Sequence, residues 1–86
     1  VNLWRTIPYA APPVGMLRFR APQPVSPWTG VLDATRFGYA AHSHRFSSPL
    51  GLLKRQVQDE DCLTLNVCAP ADRSGPPRPV LVFIHG

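Results

Sequence analysis

The chain has 86 residues, of which 44% are hydrophobic and 16% charged, and its formal net charge is +4. A chain of this length forms at most one small domain, which buries only about 60 to 65% of its unfolded surface. The longest apolar run, Val80 to Ile84, falls far short of the roughly 18 residues that a membrane span requires. The basic residues are scattered rather than arranged in a stripe, so we expect neither a membrane span nor a nucleic-acid partner.

The first 31 residues form a proline-punctuated track, with one short strand candidate at Val1 to Trp4 and no helical periodicity. Prolines fix φ and remove backbone donors, so this track is predicted to lie over the rest of the chain as an extended ribbon. Five large apolar side chains are its predicted anchors: Trp4, Tyr9, Leu17, Phe19 and Trp28. The alternative is a flexible linker or a ligand for SH3-type domains, but linkers seldom carry so many large apolar residues.

Two short helices are predicted in the middle of the chain. Residues 33–38 read DATRFG, which predicts one helical turn capped by Asp33 and ended by Gly38. Within residues 42–58, a short helix is predicted to begin with Ser48 as its N-cap and proline at its first position.

The last third of the chain contains two predicted strands. Residues 62–69 read CLTLNVCA and alternate between apolar and smaller side chains, which is typical of a strand with one more apolar face. Residues 80–84 are apolar on both faces and rich in β-branched side chains, as in a parallel α/β sheet covered on both sides. The chain contains no long amphipathic helix to cover this strand, so we expect its neighbours to be supplied from elsewhere.

The cysteines, histidines and acidic residues that could bind a metal ion or take part in catalysis are predicted to have structural roles instead. Cys62 and Cys68 would lie roughly 20 Å apart along one strand, so we predict neither a disulfide between them nor a shared zinc ion. His42 and His44 lack a further ligand at a convincing spacing, and no metal site is predicted. The acidic triplet 59–61 is predicted to form an ion pair with an arginine rather than an acid/base pair.

No catalytic nucleophile is identified in this chain. None of the serines lies in a G-x-S-x-G elbow, the turn that exposes the nucleophile of many hydrolases. The serines occupy turn-like or cap-like contexts: Ser26, Ser43, Ser47, Ser48 and Ser74.

Four stretches together resemble the N-terminal region of the type-B carboxylesterase and cholinesterase family of α/β hydrolases. They are IPYAAPPVGMLRF (7–19), PWTGVLDATRFG (27–38), DEDCLTLNV (59–67) and PVLVFIHG (79–86). The resemblance implies an α/β fold, with residues 1–86 forming only the N-terminal portion of a single α/β-hydrolase domain. That portion would comprise the proline-rich ribbon and the first strands of a mostly parallel sheet.

The resemblance also implies a function for the parent protein, by which we mean the longer protein of which these 86 residues would form the N-terminal portion. Such enzymes hydrolyse small-molecule carboxylic esters through a Ser-His-Asp/Glu triad, without a metal or other cofactor. The triad would lie downstream, so we expect the 86-residue piece alone to be inactive. His85 and Gly86 match the start of the family's H-G-G-G oxyanion loop, whose next two glycines carry the donors. The alternatives are a non-catalytic adhesion or binding protein of the same fold, and a truncated reading frame whose product does not fold.

Further implications of the resemblance are structural. Arg18 and Glu60 match a pair that forms a salt bridge in relatives. Cys62 bonds an upstream cysteine in many relatives, but Ala41 stands at the matching position, which implies that this disulfide is absent. Thr6 stands where the family usually has glycine.

Residues 42–58 correspond to a loop near the gorge mouth in relatives. Its large apolar side chains are therefore candidate substrate-side contacts, although packing within the protein is the more ordinary role for each. They are Phe46, Leu50, Leu52 and Leu53.

Overall fold

A computed structural model describes residues 1–43 and 56–85. It contains two strands, β1 (Asn2–Pro8) and β2 (Thr64–Ala69), which pair as an antiparallel two-stranded sheet. One turn of 3₁₀ helix, Gly15–Leu17, lies between them along the chain. Antiparallel strands occur beside parallel ones in mixed sheets, so this pair is compatible with a larger α/β sheet.

β1 extends further than the sequence predicted. The strand candidate ended at Trp4, whereas β1 continues to Pro8 because Ile7 and Pro8 also pair with β2. A proline is tolerated at the end of a strand, where its missing N–H does not interrupt a ladder.

A β-bulge interrupts the pairing in the middle of β1. The pairs on either side are Trp4 with Val67 and Ile7 with Leu65. Two β1 residues, Arg5 and Thr6, therefore face the single residue Asn66 on β2, and the Thr6 N–H donates to Asn66 Oδ1 over 3.1 Å. Thr6 has φ of +57°, a left-handed conformation that is an outlier for a β-branched residue.

β2 confirms the strand predicted from the alternation of residues 62–69, but it begins two residues later. The Cys62 N–H donates to Glu60 O and the Thr64 N–H to Cys62 O, each over 2.8 Å. These local hydrogen bonds occupy amides that a longer ladder would use. Leu63 O, immediately before β2, accepts a hydrogen bond from the Tyr9 N–H over 3.2 Å.

The ribbon after β1 is irregular, as predicted, apart from the 3₁₀ turn. That turn begins at Gly15, whose φ of +56° favours glycine. The Ala11 N–H also donates to Gln23 O over 2.9 Å, which folds the ribbon back on itself. The predicted anchoring role is wrong for Phe19, which is 90% exposed and has the Arg18 guanidinium over its ring, with Cζ 4.7 Å from the centroid.

The helical turn predicted for residues 33–38 does not form. Asp33 Oδ1 instead accepts hydrogen bonds from the Thr35 N–H (3.0 Å) and the Thr35 hydroxyl (2.6 Å), which is a local turn in place of a helix cap. The carbonyls of this segment bond to β1 rather than to a following helical turn. The helix predicted within residues 42–58 falls mostly on residues outside those described.

The strand predicted at residues 80–84 is not part of the described sheet. Its side chains are 74 to 94% exposed, and no described segment pairs with it. A strand is stabilised by neighbours on its edges and faces, so the apolar pattern alone does not produce one here.

The described residues contain very little core. Ala10 is the one buried hydrophobic residue among them. The accessible surface of the chain is 8082 Å², whereas a compact monomer of this mass exposes about 5000 Å². The sheet and the ribbon therefore carry a large apolar surface that the described residues do not cover.

Candidate functional site

A cleft of about 350 Å³ lies beside β1, and Thr6 of the bulge and Pro8 at the end of the strand line it. The ribbon and the segment around residues 32–39 form its other walls, and the lining is mainly apolar with one carboxylate. Its walls include Pro8, Trp28, Leu32, Tyr39 and Asp61. Such a cleft can hold a small apolar group, but His85, the described residue assigned to the oxyanion loop, does not line it.

The two residues expected to form an ion pair are brought together by the structure. Arg18 Nε lies 3.1 Å from Glu60 Oε1, and their side chains are 55% and 36% exposed. Arg18 follows the 3₁₀ turn, where its N–H donates to Gly15 O over 3.2 Å, and Glu60 precedes β2. An exposed pair of this kind contributes at most about 1 kcal/mol, so it fastens the ribbon to the sheet only weakly.

The acidic triplet 59–61 is built into a turn. Asp59 Oδ1 accepts the Asp61 N–H over 2.8 Å, and the Asp59 N–H donates to Ala40 O over 3.0 Å. With the neighbouring Glu60 paired to arginine, two of the three carboxylates have structural partners. This arrangement supports an ion-pair and turn role rather than paired acid/base carboxylates.

The bulge residues of β1 bind residues 33–38, a segment that we name the strap. Three donors of Arg5 and Thr6 reach three consecutive strap carbonyls. The bonds are Arg5 N–H to Ala34 O (2.8 Å), Arg5 Nη1 to Thr35 O (3.0 Å) and the Thr6 hydroxyl to Arg36 O (2.6 Å). Arg5 Cζ also lies 4.4 Å from the centroid of the Phe37 ring, a cation–π contact.

Sequence reasoning missed this contact between the bulge and the strap. The one available signal was the threonine at position 6, where the family usually has glycine, because glycine is the residue that adopts positive φ without strain. That departure marked an unusual backbone position but did not identify the strap as its partner.

Asp33 and Asp72 are exposed, and each accepts two hydrogen bonds from the residue two positions later, which lower the pKa of its carboxyl. The hydroxyl and then the N–H of Thr35 hold the pKa of the Asp33 carboxyl below its ordinary value. The hydroxyl and N–H of Ser74 do the same to the pKa of Asp72. Hydrogen bonds to the charged form favour it, so both aspartates act as turn acceptors rather than proton donors.

The two cysteines are free thiols in different surroundings. Cys62 is half-buried, and burial, followed by the charge of Glu60, raises the pKa of its thiol. Cys68 is exposed. Within residues 1–43 and 56–85, no group of three or more His, Cys, Asp or Glu side chains is placed to hold a metal ion.

The remaining predicted site residues receive no structural test. Phe46, Leu50, Leu52, Leu53 and Gly86 lie outside the described residues. His85 is described and follows the exposed run 80–84, so its assignment to an oxyanion loop stays a prediction. The described part of the chain also has no helix long and apolar enough to cross a membrane.

Comparison with known proteins confirms the resemblance. The carboxylesterase family profile matches residues 1–86. The para-nitrobenzyl esterase of Bacillus subtilis (strain 168) is 45% identical over 86 residues, which cover 100% of this chain and 17% of that protein. The phenmedipham hydrolase of Pseudarthrobacter oxydans is 49% identical over 87 residues, which cover 98% of this chain and 17% of that protein. A solved PNB esterase structure matches with a TM-score of 0.75 and 44% identity, over 84% of this chain and 15% of its own.

Proposed function

This chain belongs to the carboxylesterase family and has part of the α/β-hydrolase fold, and on that premise we propose that it is the N-terminal portion of a serine carboxylesterase. The observation that carries the proposal is the family match over all 86 residues. The chain spans only 17% of the length of the two curated relatives described above. The catalytic machinery of the parent is therefore assigned to residues outside this chain.

The proposed substrates are small-molecule carboxylic esters. Both the family name and the name of the Bacillus subtilis relative describe ester hydrolysis. In the proposed reaction, a serine hydroxyl of the parent attacks the ester carbonyl carbon while a histidine accepts the hydroxyl proton. The alkoxide leaves with a proton from that histidine, and water then hydrolyses the acyl-enzyme by the same route. This chemistry uses neither a metal nor a cofactor.

The contribution of this chain is structural support and the beginning of the oxyanion loop. His85 and Gly86 would lead into the loop whose later backbone N–H groups stabilise the oxyanion. The Arg18–Glu60 pair and the bulge of β1 hold the ribbon and the strap next to the sheet. None of these groups is a nucleophile, which is why the 86-residue chain alone is proposed to be inactive.

Hydrolysis of p-nitrophenyl acetate tests the proposal with two proteins side by side. The full-length protein is expected to turn over the ester and to lose that activity with a serine-directed phosphonate. The chain of residues 1–86 at the same concentration is expected to match the buffer rate. Phosphonate-sensitive turnover by the 86-residue chain, or no turnover by the full-length protein, would contradict the proposal.

A further inference from the structure

The strap forms part of one wall of the cleft and is held there from β1. Gly38 at the end of the strap lines the cleft, as do Leu32 and Tyr39 on either side of it. The Arg5–Thr6 bulge binds the strap, and Thr6 itself also lines the cleft. Movement of the strap would therefore change the width of the cleft.

Among the described residues of this chain, burial contributes little to holding the strap closed. Phe37, its largest side chain, is 61% exposed, and Asp33, Thr35 and Arg36 are exposed as well. Segments with few buried apolar contacts and solvent-exposed hydrogen bonds open locally, below the free energy of global unfolding. Within this chain, the contacts that hold the strap closed are therefore the hydrogen bonds and the cation–π contact made by the bulge.

The bulge that supplies those bonds is itself strained. A β-branched residue with φ of +57° is disfavoured, and such residues persist only where surrounding contacts hold them in place. For Thr6 those contacts are the N–H bond to Asn66 and the hydroxyl bond to Arg36 O. The N–H bond holds the strained Thr6 to β2, and the hydroxyl bond holds the strap to Thr6.

We propose that the Arg5–Thr6 bulge is a clamp that holds the strap closed against the cleft, and that the strap opens as a unit while the sheet stays paired. The hydroxyl of Thr6 is the latch of this clamp, because the Thr6 side chain donates to Arg36 O and also lies next to Gly38 at the end of the strap. Opening separates the carbonyls of residues 34–36 from β1 and widens the cleft along the wall formed by the strap.

Hydrogen exchange of two backbone amides distinguishes opening of the strap from opening of the sheet. The Arg5 N–H is bonded to Ala34 O in the strap, whereas the Tyr9 N–H is bonded to Leu63 O next to β2. Exchange is measured on the full-length protein by mass spectrometry with residue-level fragmentation. In the unmodified protein, Arg5 exchange is expected to be nearly independent of low urea concentrations, because strap opening exposes little surface.

Two substitutions at position 6 then test the latch. Thr6→Val keeps the shape and the backbone strain but removes the hydroxyl. Loss of one hydrogen bond corresponds to about two- to tenfold faster exchange at Arg5, with Tyr9 exchange unchanged. Thr6→Ser retains the hydroxyl and is the matched control, so its Arg5 exchange is expected to stay close to that of the unmodified protein.

Three results would overturn the proposal. The first is a Thr6→Val protein in which Arg5 exchange is unchanged. The second is equal acceleration at Arg5 and Tyr9, which would mean that strap and sheet open together. The third is Arg5 exchange in the unmodified protein that responds to urea as steeply as Tyr9 exchange, a measurement that does not require either variant to fold.

Discussion

Replacing Gly38 by alanine tests how tightly the strap is packed against the bulge. A Cβ at position 38 would lie 2.7 Å from Thr6 Cγ2, 3.1 Å from its Oγ1 and 3.4 Å from its Cβ. Thr6 is branched at Cβ, so it can relieve this contact only by rotating χ1, which moves the hydroxyl away from Arg36 O. Gly38→Ala is therefore expected to destabilise the protein by overpacking.

Two opposing effects determine how much Gly38→Ala changes the free energy of unfolding. Overpacking of this kind costs about 1 to 3 kcal/mol. Alanine in place of glycine also stabilises by about 0.4 to 1 kcal/mol through the unfolded state, wherever the backbone conformation suits alanine. Gly38 is not among the glycines with positive φ, so this second term applies. The net loss in the free energy of unfolding then lies between about 0 and 2.6 kcal/mol, with a midpoint near 1.3 kcal/mol.

The stability change caused by Gly38→Ala should reverse in sign when Thr6 is also replaced by glycine. Without the Thr6 side chain the overpacking term vanishes, and Gly38→Ala in that background should stabilise by about 0.4 to 1 kcal/mol. Urea titration of the four proteins of this double-mutant cycle, followed by tryptophan fluorescence, gives the coupling free energy. An equal cost of Gly38→Ala in both backgrounds would refute the packing of the strap on the bulge.

Three further predictions concern the ion pair, a turn and the thiols. A double-mutant cycle with Arg18→Met and Glu60→Gln should give a coupling below about 1 kcal/mol that falls further in 0.5 M salt, and a larger salt-resistant coupling would contradict the exposed geometry. The pKa of Asp33 is lowered in the folded state, so the stabilising effect of its carboxylate is complete near neutral pH and is lost as the pH falls below about 4. The difference in stability between Asp33→Asn and the unmodified protein should therefore shrink over that pH range, and a constant difference would contradict this prediction. At pH 8, iodoacetamide should modify exposed Cys68 before Cys62, whose thiol is half-buried with a raised pKa, as followed by mass spectrometry; the reverse order would contradict the described burial.

The two described strands show what local pattern predicts well. The alternation of residues 62–69 indicated β2, and Val1 to Trp4 indicated the beginning of β1. The bulge was not predictable from these patterns, because it depends on which β2 residue faces Arg5 and Thr6. The strap was read as a helical turn for a related reason: Asp33 accepts local N–H and O–H donors equally well at a helix cap and in a turn.

The run at residues 80–84 shows where local pattern is insufficient. Its composition is that of a strand covered on both faces, but the described chain supplies no neighbour to pair with it or cover it. The ion pair of Arg18 and Glu60 came from the family resemblance, since residues 42 positions apart have no local signal that joins them. The cleft was missed because it depends on the tertiary placement of the strap and the ribbon.

Covalent labelling shows whether this chain is, as we propose, part of an enzyme whose nucleophilic serine lies outside residues 1–86. The full-length protein is treated with a serine-directed phosphonate, digested, and mapped by mass spectrometry. We expect a single labelled serine, within a G-x-S-x-G elbow downstream of Gly86, with labelling in proportion to lost esterase activity. Labelling of a serine within residues 1–86 in proportion to that loss, or full esterase activity without any labelled serine, would contradict it.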